Sequence, residues 1–279
     1  MWQDYKSLVT QHTVVGDLLV QDAVFSPQLQ NERRIFVWLP PTYHTSDKRY
    51  PVIYMHDGQN LFDAHISYSG EWKVDETITE LSQEGLEAIV VGISNASEKR
   101  RNEYNPYPVQ FGEHFWDGLG DKYIAFLTDT IKPMIDTDFR TLPQPSTTGI
   151  AGSSMGGLIS LHGFLTRPDI FGLCGSFSPV FWTGLQNTVD AVKQVTGKIY
   201  LDMGGKEGVV ILGIAPHLTS VLEEAHQIYL DGVRQLRDGL LKNGYTTDKS
   251  LLYVEDLEAY HNEPAWAKRL PNALRFLLK

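Results

Sequence analysis

Cysteine is almost absent. Cys174 is the single one in 279 residues, so no intrachain disulfide can staple the fold, and its apolar setting, Phe171-Gly-Leu-Cys-Gly, reads as a small core filler. Long hydrophobic runs are missing as well. Nowhere do eighteen consecutive apolar residues occur, and the opening Met1-Trp-Gln-Asp-Tyr-Lys has no basic region followed by an apolar segment. The expectation is therefore a soluble, cytoplasmic protein that does not act in a membrane.

Basic charge is short. Lys and Arg number 24 against 34 Asp and Glu, a formal net charge of −10, so a polyanion meets a repulsive field and nucleic acid is not an expected partner. The clusters Arg33-Arg34 and Lys99-Arg100-Arg101 are too short to form a basic groove. Repeats, low-complexity tracts and linker-like stretches are also lacking, which predicts one domain over residues 1–279. There is no P-loop, no H-E-x-x-H and no paired C-x-x-C. Gly118-Leu-Gly120 lacks the third glycine of a dinucleotide fingerprint. The series Asp57, Asn60, Asp63 has the wrong spacing for a calcium loop and no terminal Glu. No metal and no cofactor is implied, and the oligomeric state is not legible.

What is present is alternation of strand and helix. Residues 33–39, 51–55 and 88–93 read as strands, and 71–83 has helical spacing. Residues 120–135 place Tyr123, Ile124, Leu127, Ile131 and Ile135 on one helical face, with Pro133 and Asp136-Thr-Asp marking its end. A strand at 146–151, a helix at 155–165, strands at 172–177, 198–203 and 250–254, and helices near 217–242 and 264–278 follow. Largely apolar strands separated by helices predict an α/β fold, a mostly parallel sheet covered on both faces. The more mixed stretch Thr13 to Phe25 predicts antiparallel N-terminal edge strands.

The chemistry is carried by Gly152-Ser153-Ser154-Met155-Gly156, a G-x-S-x-G in which only Ser154 has glycines two residues to either side. It stands between the strand ending Thr147-Thr-Gly-Ile-Ala and an apolar helix, the setting of a nucleophile elbow, in which the serine is strained and a β-carbon at 152 or 156 would crowd its neighbours. The alternative is a tight corner whose serine merely caps the helix. A serine hydroxyl needs a base. Of the downstream histidines, His217 and His226 fall in or beside a helical segment, whereas His261 lies in the polar stretch Glu258-Ala-Tyr-His-Asn-Glu-Pro. That stretch reads as a loop at the carboxyl end of the sheet, the edge where active sites of open α/β sheets form. An oxyanion needs two donors: the Met155 amide is one, and the Gln59 amide, in the glycine turn of Tyr54-Met-His-Asp-Gly-Gln, is the candidate for the second, the alternative being that Asp57-Gly58 is only a turn.

These residues resemble the putative-esterase family of α/β-hydrolases, which includes esterase D-like, feruloyl, acetylxylan and siderophore esterases and the mycolyltransferases. The likeness runs from about Arg33 to the C-terminus through Val37-Trp-Leu-Pro-Pro, Tyr54-Met-His-Asp-Gly-Gln-Asn-Leu-Phe, Arg101-Asn-Glu-Tyr-Asn-Pro, Ile150-Ala-Gly-Ser-Ser-Met-Gly-Gly and Ser178-Pro-Val-Phe-Trp. The resemblance implies an α/β-hydrolase fold, Ser154 as nucleophile, an acid after the strand from Lys198, and His261 as base. It implies hydrolysis of a small-molecule ester, an acyl-sugar, feruloyl-type or siderophore ester, with acyl transfer as the alternative and a non-catalytic binding protein as a further one. The stretch Val209 to His226 is longer than the family pattern and is a candidate lid.

For the acid, Glu207 follows the strand Ile199-Tyr-Leu-Asp-Met on a glycine-flanked loop, and the chain order serine, acid, histidine favours it. Asp202, inside the strand, is the competitor, and Glu255, Asp256 and Glu258 stand near His261 in sequence. Trp72, Tyr104, Trp116 and Trp182 fall in or beside segments that reach the carboxyl edge of the sheet, and each is a candidate pocket wall or a core residue.

Overall fold

The computed structural model describes residues 1–111, 114–180, 185–192, 195–214 and 219–279. Along the chain run β1 (Gln3–Asp4), β2 (Asp17–Ser26), β3 (Asn31–Leu39), β4 (Val52–His56), α1 (Val74–Ser82), β5 (Ile89–Ile93) and α2 (Arg100–Glu103). Next come a small hairpin, β6 (Val109–Phe111) and β7 (His114–Trp116), then α3 (Gly120–Phe126), α4 (Lys132–Asp138), β8 (Thr148–Ser153), α5 (Met155–Thr166) and β9 (Leu173–Phe177). The chain closes with α6 (Leu185–Ala191), β10 (Lys198–Lys206), α7 (Val209–Ile214), α8 (Leu222–Lys242), β11 (Leu251–Tyr260) and α9 (Glu263–Leu278).

Nine strands form one sheet in the order β1-β2-β3-β5-β4-β8-β9-β10-β11. Pairing is antiparallel from β1 through β5, as expected of the N-terminal edge, and parallel from β5 to β11. Because β4, β5, β8 and β9 are buried along their whole length, their apolar runs need no polar alternation. Side chains nevertheless alternate between two cores. Ile35, Val37, Tyr54 and Val91 enter one, while Phe36, Trp38, Ile53 and Val90 enter the other. The first core is covered by α3, α5 and α8, through Ile124, Ile159 and Val233. The second is covered by α1 and α9, through Ile78, Leu270 and Leu274. Each such aliphatic side chain contributes about 1.5–3 kcal/mol on burial. This is the α/β-hydrolase fold. Among the described residues no helix is long and apolar enough to cross a membrane.

Two elements depart from expectation. The helix expected over 120–135 is not regular: it passes through a π-helical turn, Leu127–Ile131, and ends at Asp138, within the Asp136-Thr-Asp run. Lys132 N–H donates to Leu127 O, five residues back. The widened turn lets the chain continue past a proline that can donate nothing. The last strand runs to Tyr260, not 254, and its distal half is partly exposed and pairs only with β10, across an irregularity at Gly204/Lys206. His261 thus follows the strand directly.

The strand order reverses between β4 and β8. Open α/β sheets bind ligands at such a switch point, beyond the carboxyl ends of the strands. Ser154 follows β8 and the Asp57-Gly58-Gln59 turn follows β4.

Candidate active site

Ser154 stands between β8 and α5 with φ 60° and ψ −123°, a conformation unfavourable for a residue with a side chain. Backbone bonds hold it there: Ser154 N–H donates to Phe177 O at 2.9 Å, and its carbonyl accepts from Gly157 and Leu158 N–H at 3.0 and 3.2 Å. Its hydroxyl makes no capping bond to α5, so the helix-cap alternative falls away. A β-carbon at Gly152 would lie 2.7 Å from His56 Cδ2 and 2.8 Å from Gly156 C, too close to fit. At Gly156, by contrast, it would find only ordinary contacts at 3.4–3.5 Å, which corrects the expectation that both glycines are sterically required.

The carboxyl edge of β10 and β11 brings Glu207 and His261 together. His261 Nδ1 lies 2.9 Å from Glu207 Oε2. The other carboxylate oxygen, Oε1, accepts from Gly204 N–H and Ser178 Oγ–H, each at 2.7 Å. A β-carbon on Gly204 would sit 2.5 Å from that oxygen, so the bend in β10 can seat the acid only with glycine there. Ser178 itself accepts from Trp266 Nε1 at 3.0 Å and Arg269 Nη2 at 2.9 Å. One hydroxyl therefore ties the acid to two residues of α9, and Trp266 also packs edge-on against the His261 ring at 5.0 Å. Asn262 caps α9 by accepting from Ala265 N–H at 3.1 Å, fixing the turn that carries His261.

The competing acids are committed elsewhere. Asp202 is completely buried and bonds Arg269 Nε at 2.7 Å, Tyr200 OH at 2.8 Å and Ser178 N–H at 3.0 Å. Burial raises its carboxyl above the ordinary range, against the pull of Arg269. Glu255 pairs with Arg234, Asp256 with Lys268 and Glu258 with Lys206. Of the other histidines, His226 Nδ1 accepts from Gly208 N–H at 2.7 Å and so props the loop behind Glu207. His217 lies outside the described residues.

On the β4 side, Asp57 takes a left-handed φ of 56° at the start of a short turn through Gly58, Gln59 and Asn60. Gly58 packs on the backbone of β5, where a β-carbon would meet Gly92 C at 2.6 Å. Burial alone would raise the Asp57 carboxyl, but a two-pronged pair with Arg100, Nε and Nη2 each at 2.7 Å, and the Asn95 amide at 2.6 Å hold it below its usual value. Gln59 is fixed through its side chain, whose Oε1 accepts from Asn95 N–H at 3.2 Å. Among the described residues, the amides of Gln59 and Met155 are used in no turn, cap or side-chain hydrogen bond. Beneath lies His56, whose ring burial depresses to about 3, so it is neutral; its Nδ1 bonds Tyr123 OH at 2.8 Å.

Ser154, Gln59 and His261 line one open cleft of about 1050 Å³. Between Ser154 and His261 there is no direct hydrogen bond; such bonds commonly close only around substrate. Trp72 borders the cleft but is itself a buried side chain of the second core, packed against Trp266 at a ring separation of 6.0 Å. Tyr104 does not: it is wholly buried behind the turn, its hydroxyl accepting from Asp57 N–H at 3.2 Å, which corrects its candidacy as a wall. Trp116 lines a separate hollow with Arg100 and Arg101, and Trp182 lies outside the described residues. Of the candidate lid, none of the described residues 209–214 and 219–226 lines the cleft, and Val210 and Ile211 are core. Ser178, Trp266, Arg269, Asp57 and Arg100 were missed in the sequence. Asp57 and Ser178 stand within the motifs Tyr54-Met-His-Asp-Gly-Gln and Ser178-Pro-Val-Phe-Trp and Trp266 on the apolar face shared with Leu270, Leu274 and Leu277, whereas nothing in the sequence ties Arg100 or Arg269 to the site.

At the level of whole chains, 28% of residues are identical over 253 positions to the uncharacterized protein YbbA of Bacillus subtilis (strain 168), spanning 88% of this chain and 92% of that one. The fold is similar to that of the BES protein from Bacillus cereus, with a TM-score of 0.72 at 19% identity over 97% of this chain and 98% of that one. It is also similar to a ferulic acid esterase, with a TM-score of 0.65 at 17% identity over 94% and 97%. The family model described as putative esterase matches residues 26–277. The chain belongs to the putative esterase family and, with it, to the hydrolases of carboxylic esters.

Proposed function

We propose that the protein hydrolyses carboxylic esters in two steps through an acyl-enzyme on Ser154. His261 Nε2 takes the Ser154 proton as Oγ attacks the ester carbonyl; the Gln59 and Met155 amides receive the oxyanion; and His261 then protonates the departing alcohol. A water deprotonated by the same imidazole releases the acid. Glu207 holds the Nδ1–H tautomer and offsets the charge of the imidazolium. The observation that carries this reading is the buried Glu207–His261 bond at 2.9 Å, opening on the same cleft as a strained serine whose hydroxyl caps nothing.

The substrate is a small ester; the likeness of fold to a ferulic acid esterase supports a feruloyl-type ester, and acyl-sugar and siderophore esters remain within the same class. The test is a fluorophosphonate probe followed by a panel of p-nitrophenyl, feruloyl, acetyl-sugar and siderophore-lactone esters. The native chain is expected to be labelled at Ser154, and Ser154→Ala to lose labelling and about 10⁴–10⁶ of turnover. An unlabelled native protein, or an inactive Ser153→Ala beside an active Ser154→Ala, overturns the assignment. A product that forms only with an added alcohol would make the enzyme a transferase.

A further inference from the structure

Two residues past His261 the cleft carries a carboxylate that the proposed hydrolysis does not use. Glu263 is the first residue of α9, where the helix dipole favours a negative charge, and it lines the cleft although only 6% of it is exposed. One of its oxygens is tied down. Oε1 accepts from Asn60 Nδ2 at 3.1 Å and from Ser69 Oγ–H at 2.7 Å. Asn60 is itself fixed: its backbone carbonyl accepts from Trp72 N–H at 2.8 Å and its Oδ1 from Tyr68 N–H at 3.1 Å. A backbone amide can only donate, so the Nδ2 end of Asn60 has to turn to Glu263. The other carboxylate oxygen, Oε2, has no hydrogen bond and no ion pair among the described residues, and it is not shut off from solvent.

Charge is unbalanced at the same place. Of the ionisable groups on the cleft, Arg100 is taken up by both oxygens of Asp57, His65 by Asp63 and His261 by Glu207. Glu98 and Glu263 pair with no lysine, arginine or histidine among the described residues. The uncancelled charge of the cleft is therefore negative. A carboxylate oxygen only accepts. Because Glu263 is held rigid through its other oxygen, a donor that meets Oε2 orders nothing further, and the low dielectric of a nearly buried group strengthens the bond.

We propose that Glu263 is a specificity-determining residue: its Oε2 accepts a hydrogen bond from a hydroxyl or a protonated amine of the ester being cleaved and disfavours esters that carry an anion at that position. The inference rests on the esterase reading above and deepens it. A hydrogen bond to a charged group of this kind corresponds to about 10–100-fold in binding. An ester without the donor leaves the carboxylate desolvated and unpaired, which is how a site built to bond a polar group rejects the analogue lacking it. Glutamine at this position inverts the preference. Asn60 Nδ2 can only donate, so the carbonyl of the new side chain stays with it, and the NH₂ takes the place of Oε2, a donor where the native chain has an acceptor.

The test uses the full chain and two matched sets of esters: phenyl acetates substituted on the alcohol ring and p-nitrophenyl phenylacetates substituted on the acyl ring. Each set carries a methyl, hydroxymethyl, aminomethyl or carboxymethyl group at the para position, and the methyl members report hydrolysis itself. In one of the sets the hydroxymethyl or aminomethyl ester is expected to exceed its methyl counterpart in kcat/KM by about tenfold or more, and the carboxymethyl ester to fall below it. The larger of the two gains tells whether hydroxyl or ammonium is the native donor. Glu263→Gln is expected to abolish the aminomethyl gain and to cut the hydroxymethyl gain severalfold, since that bond loses its charge. It is also expected to put the carboxymethyl ester ahead of the aminomethyl one, a reversal that a poorly folded enzyme or a displaced His261 cannot produce. Glu263→Asp keeps the charge but withdraws it by one methylene; it is expected to lose the gain while still disfavouring the carboxymethyl ester, and it carries the test should Glu263→Gln fold poorly. Native selectivity in both variants, or a native enzyme indifferent to the four groups in both sets, overturns the role of Glu263 and leaves the esterase reading standing. A native chain that hydrolyses no member of either set overturns both.

Discussion

Replacing Glu207 by Gln tests the proposed mechanism at its most specific point. One oxygen of the carboxylate accepts from Gly204 N–H and Ser178 Oγ–H and the other faces His261 Nδ1. A glutamine has one acceptor end and one donor end. The Gly204 amide can only donate, so the carbonyl of the new side chain must stay with it, and the NH₂ turns toward His261. Imidazole Nδ1 then has to accept, which places the ring proton on Nε2, the atom that must take the proton of Ser154. The wrong tautomer is expected to lower kcat by about 10⁴, equivalent to about 5.5 kcal/mol of transition-state stabilisation. Size and the three contacts are conserved, so Tm should change little. The assay is steady-state hydrolysis of p-nitrophenyl acetate alongside thermal unfolding. A Glu207→Gln enzyme within about tenfold of wild type would refute the reasoning. If Asp202→Asn were the crippled variant at unchanged Tm, the acid would be Asp202.

His261→Ala should lose as much turnover as Ser154→Ala, because the pair acts as one unit; His226→Ala, which releases only the Gly208 amide, should retain most of it, and the reverse ranking would misplace the base. Ser178→Ala leaves Trp266 Nε1 and Arg269 Nη2 without their shared acceptor and removes one donor from Glu207. It should cost about 1–3 kcal/mol of stability in chemical denaturation and reduce kcat more than it raises KM; an unchanged kcat would mean that the hydroxyl does not position the acid. Gly152→Ala should fail to fold or to turn over, since its methyl group meets His56 at 2.7 Å, whereas Gly156→Ala should stay active. Equal damage in expression and activity assays would show that Gly156 is constrained by more than space.

Within the strands, much of the architecture was legible because the information is local. β4, β5, β8 and β9 are buried on both faces, so β5 appears as an unbroken apolar run and the others are largely apolar, broken only by His56, Thr148, Ser153 and Ser176. The end of β11 was not legible. Residues beyond Val254 sit at a sheet edge with partial exposure, and nothing in their polar sequence records that the β10 backbone holds them extended. The π-helical turn at Leu127–Ile131 was not legible either: the helix end near Asp138 is marked in the sequence, but the widening that carries the chain past Pro133 is a feature of packing.

By itself the sequence determined the sheet, the strained turn at Ser154 and the chain order of Ser154, Glu207 and His261 on which the proposed mechanism rests. Those follow from sterics within a few residues and from the rule that loops gather at the carboxyl edge of parallel strands. Tertiary structure alone decided the rest. It buried Trp72 at the border of the cleft and Tyr104 behind the Asp57 turn, though both are aromatics near the same edge. It joined Ser178 to Glu207, Trp266 and Arg269 across as many as 91 positions. It also brought Val15 onto Asp75, burying an acid that in sequence looks like part of an exposed first helical turn. Hydrogen bonds between distant segments leave no periodicity in the chain, because a side chain's partner depends on where the backbone delivers it and not on the residues beside it.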